Sequence, residues 1–164
     1  MPENNEPFRT PKKTGAIMSG LRLRTTTPFG HLHMTIVLDM KTERELEIFA
    51  QIGKCGEMVN ADTEGMCRLS SLYLRAGGRI EDVIKQLRGI GTHMARKDKE
   101  IISVPDSLGK ALAMYLKVKK EHGAKALILN EVTVNEDEID AEHQKMNQET
   151  LDADAASPGS SNDQ

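Results

Sequence analysis

Tryptophan is absent and aromatic residues make up only 3% of the chain. The interior must therefore be assembled from Leu, Ile, Val and the nine Met residues. No apolar run exceeds six residues, well short of the roughly 20 that a membrane-spanning helix needs. The stretch from Met1 to Gly20 is polar and lacks the apolar region of a secretory signal. Cysteine is scarce as well. Two cysteines exclude both a disulfide framework and a four-thiolate zinc site, and a reducing cytoplasm is the expected compartment.

At about 150 residues per domain, 164 residues predict one folded domain with tails. The composition, 38% hydrophobic and 29% charged, is that of a globular protein. Charge is unevenly placed. Residues 125–164 hold ten acidic and two basic residues, a formal −8, whereas residues 1–124 hold 20 basic and 15 acidic ones. A mildly basic domain thus carries an acidic tail whose Ser-, Gly- and Asp-rich end cannot bury enough apolar surface to offset ordering entropy. The expected organisation is a flexible leader over 1–20, a folded unit over 21–123 and an acidic, largely disordered tail over 124–164. Trimming the chain after Gly123 should then leave its melting temperature nearly unchanged.

The folded part opens with a period of two. Leu21 and Leu23 alternate with Arg22 and Arg24, Pro28 and Gly30 mark a turn, and Leu32, Met34, Ile36 and Leu38 share one face. Leu46, Ile48, Ala50 and Ile52 repeat the pattern, which predicts a three-stranded antiparallel meander. The period then becomes helical. Met66, Leu69, Leu72, Tyr73 and Ala76 predict one apolar stripe, capped by Asn60 or Asp62 and stopped by Gly77-Gly78. Ile80, Val83, Ile84, Leu87 and Ile90 predict a second helix, packed antiparallel to the first as a hairpin. Ser103 and Asp106 have capping-box spacing before a third helix carrying Leu108, Ala111, Leu112, Tyr115 and Leu116. Ala126–Val134 fits either a short strand or part of the tail. The fold class is α+β: a meander, a helical hairpin, a third helix and disordered tails.

Few residues offer chemistry. His31 and His33 share a strand face, as two ligands of one metal would, and Cys55 and Cys67 would complete a set of four. The cysteines are not spaced as a metal knuckle, so the histidines are more simply read as exposed positions. Gly53-x-x-Gly56 lacks the Gly-Lys-Ser/Thr of a phosphate loop. Arg79, Lys85, Arg88, Arg96, Lys97, Lys99, Lys110, Lys117, Lys119 and Lys120 lean basic, but nucleic-acid stacking also needs aromatics, which are scattered. Arg68, Arg75, Lys85 and Arg88 are the candidate interaction residues.

Several segments nevertheless resemble a known domain. Thr27–Val37, Glu47–Gly56, the long block Ala61–Gly77, Ile84–Ile90 and Ser103–Leu112 look like successive parts of the TSCPD domain. That domain forms the C-terminal region of many adenosylcobalamin-dependent (class II) ribonucleotide reductases. The resemblance covers residues 21 to 120. It places Ser103, Val104, Pro105 and Asp106 on the family's Ser-Cys-Pro-Asp motif, with Val104 in place of the cysteine. A second family cysteine, just after the Gly-Ile that ends the second helix, is replaced by Gly91 and Thr92. The family's thiols are thought to serve metal binding or redox transfer, and Val104 can do neither. Val104→Cys alone is expected to fold without recruiting stoichiometric zinc.

Reduction of a ribonucleotide by this class uses three thiols in a large barrel, and this chain holds two. The resemblance therefore implies a free-standing, cysteine-depleted, non-catalytic accessory module with no cofactor of its own. Its partner would be a reductase large subunit. A split reductase subunit, working with adenosylcobalamin on the other chain, is one alternative. A small nucleic-acid-binding module held in check by its acidic tail is another.

Overall fold

A computed structural model describes residues 10–53, 55–91 and 103–135, together with 138, 141, 145 and 148. Three strands, β1 (Ser19–Thr27), β2 (Gly30–Asp39) and β3 (Arg44–Ile52), form an antiparallel sheet in the order β1-β2-β3. Thr27 sets the first turn: its hydroxyl donates to the Gly30 carbonyl at 2.8 Å and accepts from Phe29 N–H at 3.0 Å. Leu32, Met34, Ile36 and Leu38 of β2 are buried, as the alternation predicts. Between Val37 and Leu38 the register shifts, so that Leu38 faces Glu45 and Val37 faces Glu47. The shift turns both Glu45 and Leu46 inward.

Four helices follow: α1 (Glu57–Arg75), α2 (Ile80–Leu87), α3 (Val104–His122) and α4 (Ala124–Ile128). They cover one face of the sheet. The core joins the β2 side chains, Ile48 and Ile52 to Leu108, Ala111, Leu112 and Tyr115 of α3 and to the apolar face of α2. The arrangement is α+β, with α1 packed along β3 and α3 across β1.

Helix α1 departs from its expected orientation. Its buried residues are Thr63, Cys67, Ser71 and Leu74, whereas Leu69, Leu72 and Tyr73 of the expected stripe are exposed. The cause is the open edge of β3. Ser71 accepts from Ile48 N–H at 2.9 Å and donates to Ile48 C=O at 3.2 Å. Asn60 accepts from Ile52 N–H at 3.0 Å and donates to Ile52 C=O at 3.3 Å. Small polar side chains on α1 thus satisfy peptide groups that a sheet edge would leave unpaired. Asn60 is consequently not the helix cap; Gly56 holds that place.

The stop at Gly77-Gly78 is as expected. Gly78 N–H donates to Tyr73 C=O at 2.9 Å and Gly77 N–H to Leu74 C=O at 3.0 Å, with Gly77 at φ 98°. Helix α2 then finds its main packing partner in α3 rather than in α1. Ile80, Val83, Ile84 and Leu87 are buried as anticipated, but Ile90 is exposed.

The folded unit extends beyond both expected boundaries. Strand β1 begins at Ser19, and ahead of it Lys12 N–H donates to Arg75 C=O at 2.9 Å while Thr14 donates to Glu47 at 3.2 Å. Beyond Gly123, Ala124 is fully buried, and Leu127 and Ile128 pack on the core. Part of the stretch assigned to the tail is therefore structural.

Candidate functional site

The Ser103–Asp106 segment opens α3 where three elements converge. Ser103 is the N-cap, its hydroxyl accepting from Asp106 N–H at 3.1 Å. The same hydroxyl donates to Ile90 C=O. Pro105 sits in the first turn, where its missing N–H costs nothing. Val104 is buried. Ser107 donates to Thr26 C=O at 2.7 Å, tying the segment to the end of β1.

Asp106 does not close a reciprocal capping box. Its carboxylate accepts from Gly89 N–H at 2.9 Å and from Lys110 Nζ at 2.5 Å. Asp106 is 1% exposed and Lys110 is 4% exposed. A buried charge pair of this kind is tolerated because each ion neutralises the other and the carboxylate gains a further hydrogen bond. One turn along α3, a Cβ at Gly109 would lie 2.9 Å from Arg88 N. Glycine there allows α2 and α3 to approach closely, which brings Gly89 within reach of Asp106. The motif acts as a latch joining the end of α2, the end of β1 and the start of α3.

The Ser103–Asp106 motif itself contains no sulfur. Val104, where the resemblance sets the family's motif cysteine, is a buried alkyl side chain with no donor atom for a metal and no thiol for exchange. Thr92, where the resemblance sets a second family cysteine, lies outside the described residues, as do Arg96, Lys97 and Lys99.

The four other metal candidates are not brought together. His31 is exposed, and His33 Nδ1 lies 2.7 Å from an Arg22 guanidinium nitrogen on the uncovered face of the sheet. Cys67 is on the opposite, core side, on the inward face of α1, where burial and then the nearby Glu64 charge push its thiol up to about 11. Cys55 is half-buried, its Sγ 3.5 Å from the Ile52 carbonyl oxygen. Among the described residues, no group of three or more His, Cys, Asp or Glu side chains could hold a metal ion.

The basic residues are dispersed in the same way. Arg68 pairs with Glu64 at 2.6 Å and Arg75 with Glu47 at 3.8 Å, both beside a groove of about 720 Å³ between α1 and β3. Lys85 is exposed on α2, and Arg88 is half-buried at the end of that helix. Lys110 is no surface cation at all. Lys119 donates to Glu45 at 2.7 Å and to Glu43 C=O, while Tyr115 donates to the same Glu45 oxygen at 2.8 Å. Arg79 and Lys120 both face Glu81, at 3.6 and 3.7 Å.

Two buried polar clusters thus escaped the sequence reading. The Asp106–Lys110 spacing of four on one helix was the visible signal for the first. The Glu45 cluster depends on the strand irregularity and left no comparable trace.

Among the described residues, no helix is long and apolar enough to cross a membrane. No curated protein and no solved structure matches the chain. The family model for the TSCPD domain matches residues 9–116, a span that begins just before the tethered leader and ends within α3. Because that match spans well over half of the sequence, the chain belongs to the TSCPD domain family.

Proposed function

We propose that this TSCPD domain is a non-catalytic accessory or interaction module for a ribonucleotide reductase whose barrel lies on another polypeptide, and so serves deoxyribonucleotide synthesis. TSCPD domains are known from ribonucleotide reductases, which supports the choice of partner. The latch is the observation that carries the reading: the motif's polar side chains are committed to holding α2, α3 and β1 together, and its cysteine position holds Val104. Adenosylcobalamin would belong to the large subunit, and no residue of this chain is assigned to it.

A pull-down with the reductase large subunit, paired with turnover assays in the presence and absence of this chain, tests the proposal. Stable capture with turnover retained in its absence supports an accessory role. Turnover that strictly requires the chain would instead make it a split subunit. Absence of capture would remove the reading altogether.

A further inference from the structure

Helix α1 turns its widest apolar face away from its own core. Met58, Leu69, Leu72 and Tyr73 are 78, 70, 46 and 41% exposed. At the helical period they share one side with Asp62, Gly65 and Ala76, opposite Asn60, Cys67 and Ser71. A groove of about 370 Å³ opens beside them, lined by Leu69, Tyr73, Val83 and Leu87. Exposed apolar surface of this continuity marks an interaction site.

Gly65 is a second, independent observation. It lies inside α1 on the exposed side, and a Cβ there would meet nothing within 4 Å. Glycine inside a helix costs about 1 kcal/mol relative to alanine, and no contact among the described residues requires it. Its missing side chain leaves room for another helix to come close.

The charges beside the stripe select the occupant. Glu57, Glu64, Arg68 and Arg75 lie along one flank, acidic toward the N-terminus and basic toward the C-terminus. They are spaced symmetrically about Met66. When two copies of α1 lie antiparallel across a two-fold axis at Met66, Glu64 meets the partner's Arg68 and Glu57 meets the partner's Arg75. The same patch then complements itself, as an isologous interface demands, and flanking charge pairs fix the helix orientation.

We propose that the outer face of α1 is a homodimer interface, with two copies pairing antiparallel through Leu69, Leu72 and Tyr73 over Gly65. The interface does not depend on the accessory role argued above.

Sedimentation of the full chain over a dilution series tests it. The wild-type chain should show a concentration-dependent dimer. Leu69→Glu with Leu72→Glu should be monomeric, while its far-UV circular dichroism and melting temperature stay close to those of the unassociated wild type, because both side chains point to solvent. Arg68→Glu should weaken the dimer about tenfold or more by placing like charges together. Adding Glu64→Arg to that variant should restore it, with the melting temperature of the unassociated chain the same in all three proteins, which separates the contact between copies from the pair the two residues make within one helix. A wild-type chain that stays monomeric throughout overturns the proposal, as does a dimer indifferent to Leu69 or a charge swap without rescue. Leu69-dependent binding of a reductase subunit by a monomer would overturn it too.

Discussion

Asp106 and Lys110 show how polar residues of a sequence motif can hold a fold together. The aspartate accepts from a backbone N–H of one helix end and from a lysine one turn further along its own helix. Asp106→Ala would remove the carboxylate from the Lys110 ammonium and its hydrogen bond from Gly89 N–H. The expected loss is about 1–3 kcal/mol in urea unfolding, and a loss below about 1 kcal/mol would contradict the latch. Burial also gives the fold a pH dependence. The Cys67 thiol ordinarily titrates near 9.0 and is pushed up to about 11 here. Burial and the adjacent Glu45 charge raise the Tyr115 hydroxyl in the same direction. Both groups are held in their protonated forms, so their contribution is whole below their unfolded values and is lost as pH rises through the folded ones. The melting temperature should therefore hold from neutrality to about pH 9 and decline as the pH climbs further. A flat thermal-melting profile through that alkaline range would contradict the buried placement of both groups.

At the scale of elements, α1 is the instructive case. Its apolar residues follow the helical period faithfully, yet the side they mark faces outward. The hydrophobic pattern carries no information about the unpaired peptide groups of β3, and those groups claim Asn60 and Ser71. Ser71→Ala deletes both hydrogen bonds to Ile48 while leaving the helix itself intact. It should cost about 1–3 kcal/mol and speed amide exchange at Ile48 specifically. Equal exchange rates in the two proteins would show that α1 does not seal this edge. The strands, by contrast, were legible almost to the residue, because alternation between a covered and an uncovered face allows only one register for Leu32, Met34, Ile36 and Leu38. Helix α3 was equally clear from Ser103, Pro105 and its terminal cations.

The whole molecule is larger than its strongest sequence signals. Lys12 and Thr14 are held by the sheet and α1, while α4 closes the core beyond Gly123. These segments are short, and their contacts lie with residues distant in sequence, so no local period reveals them. A chain ending at Gly123 should lose about 2–4 kcal/mol, from the burial of Ala124 and the partial burial of Leu127 and Ile128. A chain ending at Asn135 should melt close to the full-length protein, since the described positions beyond it, Glu138, Ala141, Lys145 and Gln148, are exposed. Thermal melts of the two truncations check this directly, and equal melting temperatures would show that α4 contributes nothing. The candidate site was legible to the same partial degree. The Ser-Val-Pro-Asp segment identified the place, whereas the buried lysine and the meeting of three elements emerged only from the fold.

The proposed accessory role requires this TSCPD domain to serve a reductase without sulfur chemistry of its own. The most direct measurement is ribonucleotide turnover by the large subunit, supplemented either with this chain or with its Cys55→Ser, Cys67→Ala variant. Equal turnover with the two chains is the predicted result. Turnover lost with the variant, while its binding to the large subunit is unchanged, would contradict the account.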